Sequence, residues 1–141
     1  MTSESYKRFE AERWNACLKF LCRPLDDLDA IQRPAALVLN YYGRVMNGGH
    51  SSHFDGPEAA LNEELLEALR LMGAKQHARI LAEAIFLKRD AKRVDEEEIE
   101  EERAYASETI EDLDMQFGRL KPDIPEFLAR YFDAHPESFP K

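Results

Sequence analysis

Cysteine is scarce in this chain: there are 2, Cys17 and Cys22, among 141 residues. Five positions apart on a helix, they turn toward different faces, so neither a disulfide between them nor a shared metal is expected. Reduced thiols suit an intracellular protein. Long apolar runs are also missing, and nothing approaches the roughly 20 residues that cross a bilayer. The opening Met1-Thr2-Ser3-Glu4-Ser5 lacks the basic-then-apolar pattern of a secretory signal. A cytoplasmic location follows as an expectation. Bases are in deficit, since 19 Lys and Arg against 28 Asp and Glu leave a formal charge of −9. Phosphates would be repelled, so direct nucleic-acid binding is not expected, whereas binding to something basic is. Strand-like alternation, internal repeats and a dividing linker are absent too, which predicts a single helical domain over residues 1–141.

What is present is ample for a core: 44% of the residues are hydrophobic and 33% charged, ordinary values for a folded globular protein. Pro, Gly and Asn punctuate apolar patterns of helical period. Trp14, Cys17, Leu18 and Leu21 share one stripe of a first helix, about residues 4–22, closed by Pro24. A second helix, about 34–47, starts with Pro34 in its first turn and carries Leu37, Val38, Tyr41, Tyr42 and Val45. It is predicted to stop at Asn47-Gly48-Gly49, where glycine supplies a left-handed cap, and residues 49–56 read as a loop. After Pro57, a third helix runs through Leu61, Leu65, Leu69 and Met72 to Gly73. Ile80, Leu81, Ala84 and Leu87 mark a fourth, whose basic end (Lys88, Arg89, Lys92, Arg93) suits the negative end of the helix dipole. The fifth, about 95–120, keeps Ile99, Ala106, Ile110, Leu113, Phe117 and Leu120 on one stripe. Ile124, Phe127, Leu128 and Tyr131 line a sixth that ends before Pro136. The fold class predicted is all-α, a compact bundle of about six amphipathic helices.

The segment Tyr42-Gly43-Arg44-Val45-Met46-Asn47-Gly48-Gly49-His50-Ser51-Ser52-His53-Phe54 resembles the signature of a bacterial family best known for a DNA-mimic protein, the DMP-type family. Further matches follow in order: Ala68-Leu69-Arg70-Leu71-Met72-Gly73-Ala74, Leu113-Asp114-Met115-Gln116-Phe117, and Tyr131-Phe132 with Pro136-Glu137-Ser138-Phe139. The resemblance covers about residues 34–140 and leaves an N-terminal helix ahead of it. It implies an all-helical fold, a homodimer, and, from the best-known member, surface carboxylates that stand in for DNA phosphates on a transcription factor. The chain departs from the pattern after Asn47-Gly48-Gly49, where His50, Ser52 and His53 replace the family's usual Phe, Gln and aromatics. Arg44 also stands where an acid is usual.

The strongest functional signal in the residues themselves is charge. From Asp95 to Asp114 there are 11 acids and one base, Arg103. At about 1.5 Å of rise per residue this is roughly one net negative charge per 3 Å of axis, close to the ~3.4 Å per phosphate of one DNA strand. By helical rotation Glu97, Glu100, Glu101, Glu108, Glu111 and Asp112 lie opposite the apolar stripe. These six are the candidate partner-binding residues, to be offered to a basic DNA-binding or regulatory protein. The plainer reading is a solvated face kept for solubility and partly neutralised by the basic end of the fourth helix.

A second constellation joins His50, His53 and Asp55, with His77 elsewhere. Imidazoles and a carboxylate suit zinc, and a small metal-dependent hydrolase is one alternative function, a structural homo-oligomeric domain the other. The plainer reading is structural or surface histidines. Asn47-Gly48-Gly49 lacks the Lys or Ser/Thr of a phosphate-cradling loop. No catalytic, cofactor-binding or metal residue is assigned, and a binding protein rather than an enzyme is expected.

Overall fold

The apolar stripes fold into helices and into nothing else among the described residues. The structure, a computed structural model, describes the backbone of residues 3–96 and 100–140 and the side chains of 11–89 and 109–140. In chain order the helices are α1 Ser3–Leu21, α2 Gln32–Asp55, α3 Asn62–Leu71, α4 Lys75–Glu96, α5 Glu100–Arg119 and α6 Ile124–Ala134. Short 3-10 turns occupy Leu25–Asp27 and Pro57–Leu61. The all-α class is as expected. Among the described residues no helix is long and apolar enough to cross a membrane.

Four consecutive residues, Ala35, Ala36, Leu37 and Val38, are all buried near the start of α2. A helix apolar on every side belongs in the middle of a bundle, and α2 indeed touches α1, α3, α5 and α6. Ala78, Ile80, Leu81 and Ala84 of α4 and Ile110, Leu113 and Phe117 of α5 complete the core with Leu65, Leu69, Ile124 and Leu128. Helices α4 and α5 run antiparallel. His77 meets Phe117 with ring centroids 5.2 Å apart, while Ala82 and Phe86 share a hollow with Thr109. At the other side of the bundle the Asp123 carboxylate caps α6 by accepting the Glu126 N–H at 3.1 Å, and Pro125 occupies the first turn. Arg13 of α1 then binds both Asp133 and the Phe132 carbonyl of α6, tying the two ends of the chain together.

Two boundaries differ from the sequence reading. The second helix does not stop at Asn47-Gly48-Gly49. Gly48 (φ −153°, ψ 19°) and Gly49 (φ 73°, ψ −175°) leave helical geometry, but the chain re-enters the helix and continues to Asp55. Only two residues break the run, and a side chain from another helix caps the restart, so the expected loop is mostly helical. The fourth helix also overruns its basic end and reaches Glu96. Nothing from Lys88 to Glu96 is Gly, Pro or Asn, so no residue there disfavours its continuation. The fifth helix accordingly begins at Glu100, not near 95. The acidic run is therefore split between two helices, which corrects the single rod expected. Glu100, Glu101 and Glu102 open α5, where the positive end of the dipole favours carboxylates.

Candidate functional site

Glu111 and Asp112 are exposed between the buried Ile110 and Leu113, and neither makes an ion pair among the described residues. Glu100, Glu101 and Glu108 belong to α5 by position, with their side chains outside the described set; Glu97 lies outside the described residues altogether. The link from Glu96 to Glu100 spans at most about 14 Å, four steps of roughly 3.6 Å. The acids that end α4 and those that begin α5 therefore share one end of a helical hairpin.

Asp114 behaves differently. It is the last acid of the run, yet its carboxylate turns inward onto the break in α2. Its Oδ1 accepts the His50 backbone N–H at 2.8 Å and the His50 Nδ1–H at 2.5 Å. The first of these bonds caps the restarted helix, placing a negative group at its N-terminus. With Nδ1 protonated, His50 Nε2 is left to accept the Tyr41 hydroxyl, 2.6 Å away. Tyr41 and His50 are both 0% exposed. Burial pushes the Tyr41 hydroxyl well above its ordinary pKa and pulls His50 below its own, the second effect opposed by Asp114. Tyrosine therefore keeps its proton, and imidazole stays neutral at pH 7. A carboxylate, an imidazole and a hydroxyl in line are also the parts of a proton relay. Here the hydroxyl is sealed in the core, and the array joins α5 to both halves of α2.

The other histidines are buried as well. His53 Nε2–H donates to Asn62 Oδ1 at 2.7 Å, which leaves Nδ1 without a partner among the described residues. His77 stands edge-on to Phe117 and Phe127, and neither of its nitrogens finds a hydrogen-bond partner among the described residues. Burial lowers its pKa to about 4, against the pull of Asp123. Asp55 is exposed, away from this cluster's bonds. The His50, His53 and Asp55 set is thus not brought together as ligands, because both imidazoles spend their donors on Asp114 and Asn62. Among the described residues no group of three or more His, Cys, Asp or Glu converges on a metal position.

Replacing Asp114 with alanine should lower stability by about 2–3 kcal/mol, since two buried N–H donors on His50 lose a charged acceptor. The urea midpoint would fall with its slope unchanged; an unaltered midpoint would mean that the carboxylate fastens nothing. In sequence Asp114 adds to the charge of the run but is not among the six acids opposite the apolar stripe. Its position carried a warning, four residues after Ile110 and three before Phe117, on the buried stripe.

A family model described as DMP19-like protein matches residues 26–135, more than half of the chain. The chain belongs to this family. The DMP19-like region takes in α2 through α6 and leaves α1 ahead of it; it starts somewhat earlier than the resemblance read from the motifs. Within this DMP19-like chain, Arg44 lies 3.8 Å from Glu58 in an ion pair across the α2 restart. His50 and His53 are core residues packed on Tyr41, with ring centroids at 5.5 and 5.0 Å. No curated protein and no solved structure matches the chain.

Proposed function

We propose that the chain is a cytoplasmic protein-binding module, not an enzyme, that acts as a DNA mimic. The acidic end of the α4–α5 hairpin takes the place of phosphates on the basic face of a DNA-binding regulator. Membership of the DMP19-like family carries this reading. The open setting of Glu111 and Asp112 supports it, as does the run of acids Glu100, Glu101 and Glu102 that opens α5. Electrostatic steering makes association fast and salt-sensitive. As a homodimer the chain would present two such ends to a symmetric regulator.

The test is capture from a native lysate at low salt, followed by competition of each captured protein with duplex DNA. Captured proteins are expected to bind DNA and to release this chain as DNA is added. Reversing Glu100, Glu101, Glu111 and Asp112 to Lys adds two charges at each site and brings the formal −9 close to neutrality. Affinity should fall by about 100-fold or more while the helical circular dichroism stays intact, since these acids make the contact. Undiminished capture by that variant would sink the reading.

A further inference from the structure

A groove of about 770 Å³ runs between α4 and the segment formed by α3 with the 3-10 turn before it. That size lies within the roughly 300–1,000 Å³ typical of binding clefts. It stays open because Ala59, Ala60 and Ala82, which line it, are small. Leu61, Leu66 and Ile85 supply its apolar surface, alongside a polar lining of about equal extent from Asn62, the glutamates and Arg89. Across the Ala82 ridge lies a second, apolar hollow of about 400 Å³, edged by Phe86, which is 63% exposed. The apolar strip thus continues over the outer face of α4.

The charges on the groove are not equivalent. Glu64 is taken by Arg33, whose Nε and second terminal nitrogen donate to it at 2.5 and 3.1 Å. Glu63 and Glu67 are exposed on the same wall and make no ion pair among the described residues. They lie one helical turn apart, about 6 Å along the α3 axis. Cations four residues apart on a second helix have that same rise and would meet them in register. Arg89 stands on the opposite wall, so the two sides differ in sign and define an orientation.

We propose that this groove docks an amphipathic helix of a partner protein, with its apolar stripe on Leu61, Leu66 and Ile85 and Lys or Arg along the flank that faces Glu63 and Glu67. The carboxylates repel nucleic acid and anionic lipid alike, and the apolar surface rewards leucine-sized side chains seated as ridge into groove. The site involves no residue of the acidic run, so it stands whether or not that run has a partner.

A synthetic helix of about four turns, with leucines on one stripe and lysines on the adjoining flank, is the probe. Titrated into the isotope-labelled full chain, it should shift the backbone resonances of Leu61–Glu67 and Ala82–Arg89. The double variant Glu63→Lys/Glu67→Lys should bind it at least about tenfold more weakly, and Glu111→Lys/Asp112→Lys within about threefold of wild type. All four positions are exposed, and circular dichroism checks that each variant folds. Shifts concentrated around Glu111, or equal binding by a peptide of the same composition broken by a central proline, would overturn the proposal. The first would mean mere attraction to the acidic helix, the second that no helix is recognised.

Discussion

Gly49→Ala should destabilise the protein by about 3–5 kcal/mol and lower its melting temperature by roughly 10 °C or more. Two costs combine. The φ of 73° and ψ of −175° at Gly49 fall in a region that is essentially closed to residues with a Cβ, worth about 1–3 kcal/mol of strain. A Cβ there would also stand 3.0 Å from Asp114 Cγ and closer still to Oδ2. A carboxylate at the end of a free side chain could swing aside, but this one holds the His50 N–H and the His50 ring. Moving it gives up those bonds, a further ~1.5–3 kcal/mol. Gly43 is the internal control. It lies in the helical part of α2 with nothing within 4 Å of a built Cβ, and Gly43→Ala should stabilise by about 0.5–1 kcal/mol. Thermal unfolding of both variants decides the matter. Equal melting temperatures would mean that the Gly49 backbone and the Asp114 latch are not coupled.

The contrast between these glycines shows what the sequence could and could not disclose. The helices were legible because packing demands a periodic apolar face, and Leu65–Leu69 or Ile110–Leu113–Phe117 display it without reference to anything distant. The restart after Gly49 was not legible, because its cap comes from a residue 64 positions away. A Gly-Gly pair after an apolar run looks like a terminus unless that partner is known. The hairpin end was hidden for another reason. Lys, Arg, Asp and Glu all tolerate helix, so no residue from Lys88 to Glu102 marks where α4 gives way to α5. Charge density is a property of the sequence, but the run that carries it is divided between α4 and α5. The candidate surface was partly legible: rotation about the helix axis separates Glu111 and Asp112 from the core and leaves Asp114 off that face, but it cannot name His50 as the partner of Asp114. The groove beside α3 left no local trace, since alanines at 59, 60 and 82 look like ordinary helix formers until two elements face each other.

Acidification should weaken the fold well above the range where carboxylates titrate, with His77 as the main cause. In the unfolded chain His77 has an ordinary pKa near 6.5, whereas burial lowers it to about 4 in the folded protein. Between those values the unfolded state holds the proton and the folded state does not, so stability falls as pH falls, by about 1.4 kcal/mol per unit. From pH 7.5 to 5 this histidine alone removes roughly 2 kcal/mol, and the loss is complete only below about pH 4. His50 and His53 are lowered by burial too, against Asp114 and Asn62 respectively, and they act in the same direction. Glu64 does not confuse the window. Its pKa is lowered by Arg33, so the support it gives is lost at more acid pH. His77→Leu separates the contributions, because leucine fills the space between Phe117 and Phe127 without two nitrogens that lack partners among the described residues. At pH 7.5 the variant should be about 1–2 kcal/mol more stable than wild type, since an unpartnered buried polar group costs about that much. At pH 5 the gap should widen to roughly 3–4 kcal/mol, because the titrating group is gone. Urea midpoints at the two pH values measure both differences. A gap that stays constant would show that the proton taken up on unfolding does not belong to His77. The acid sensitivity would then lie with His50 and His53, whose burial also lowers their pKa.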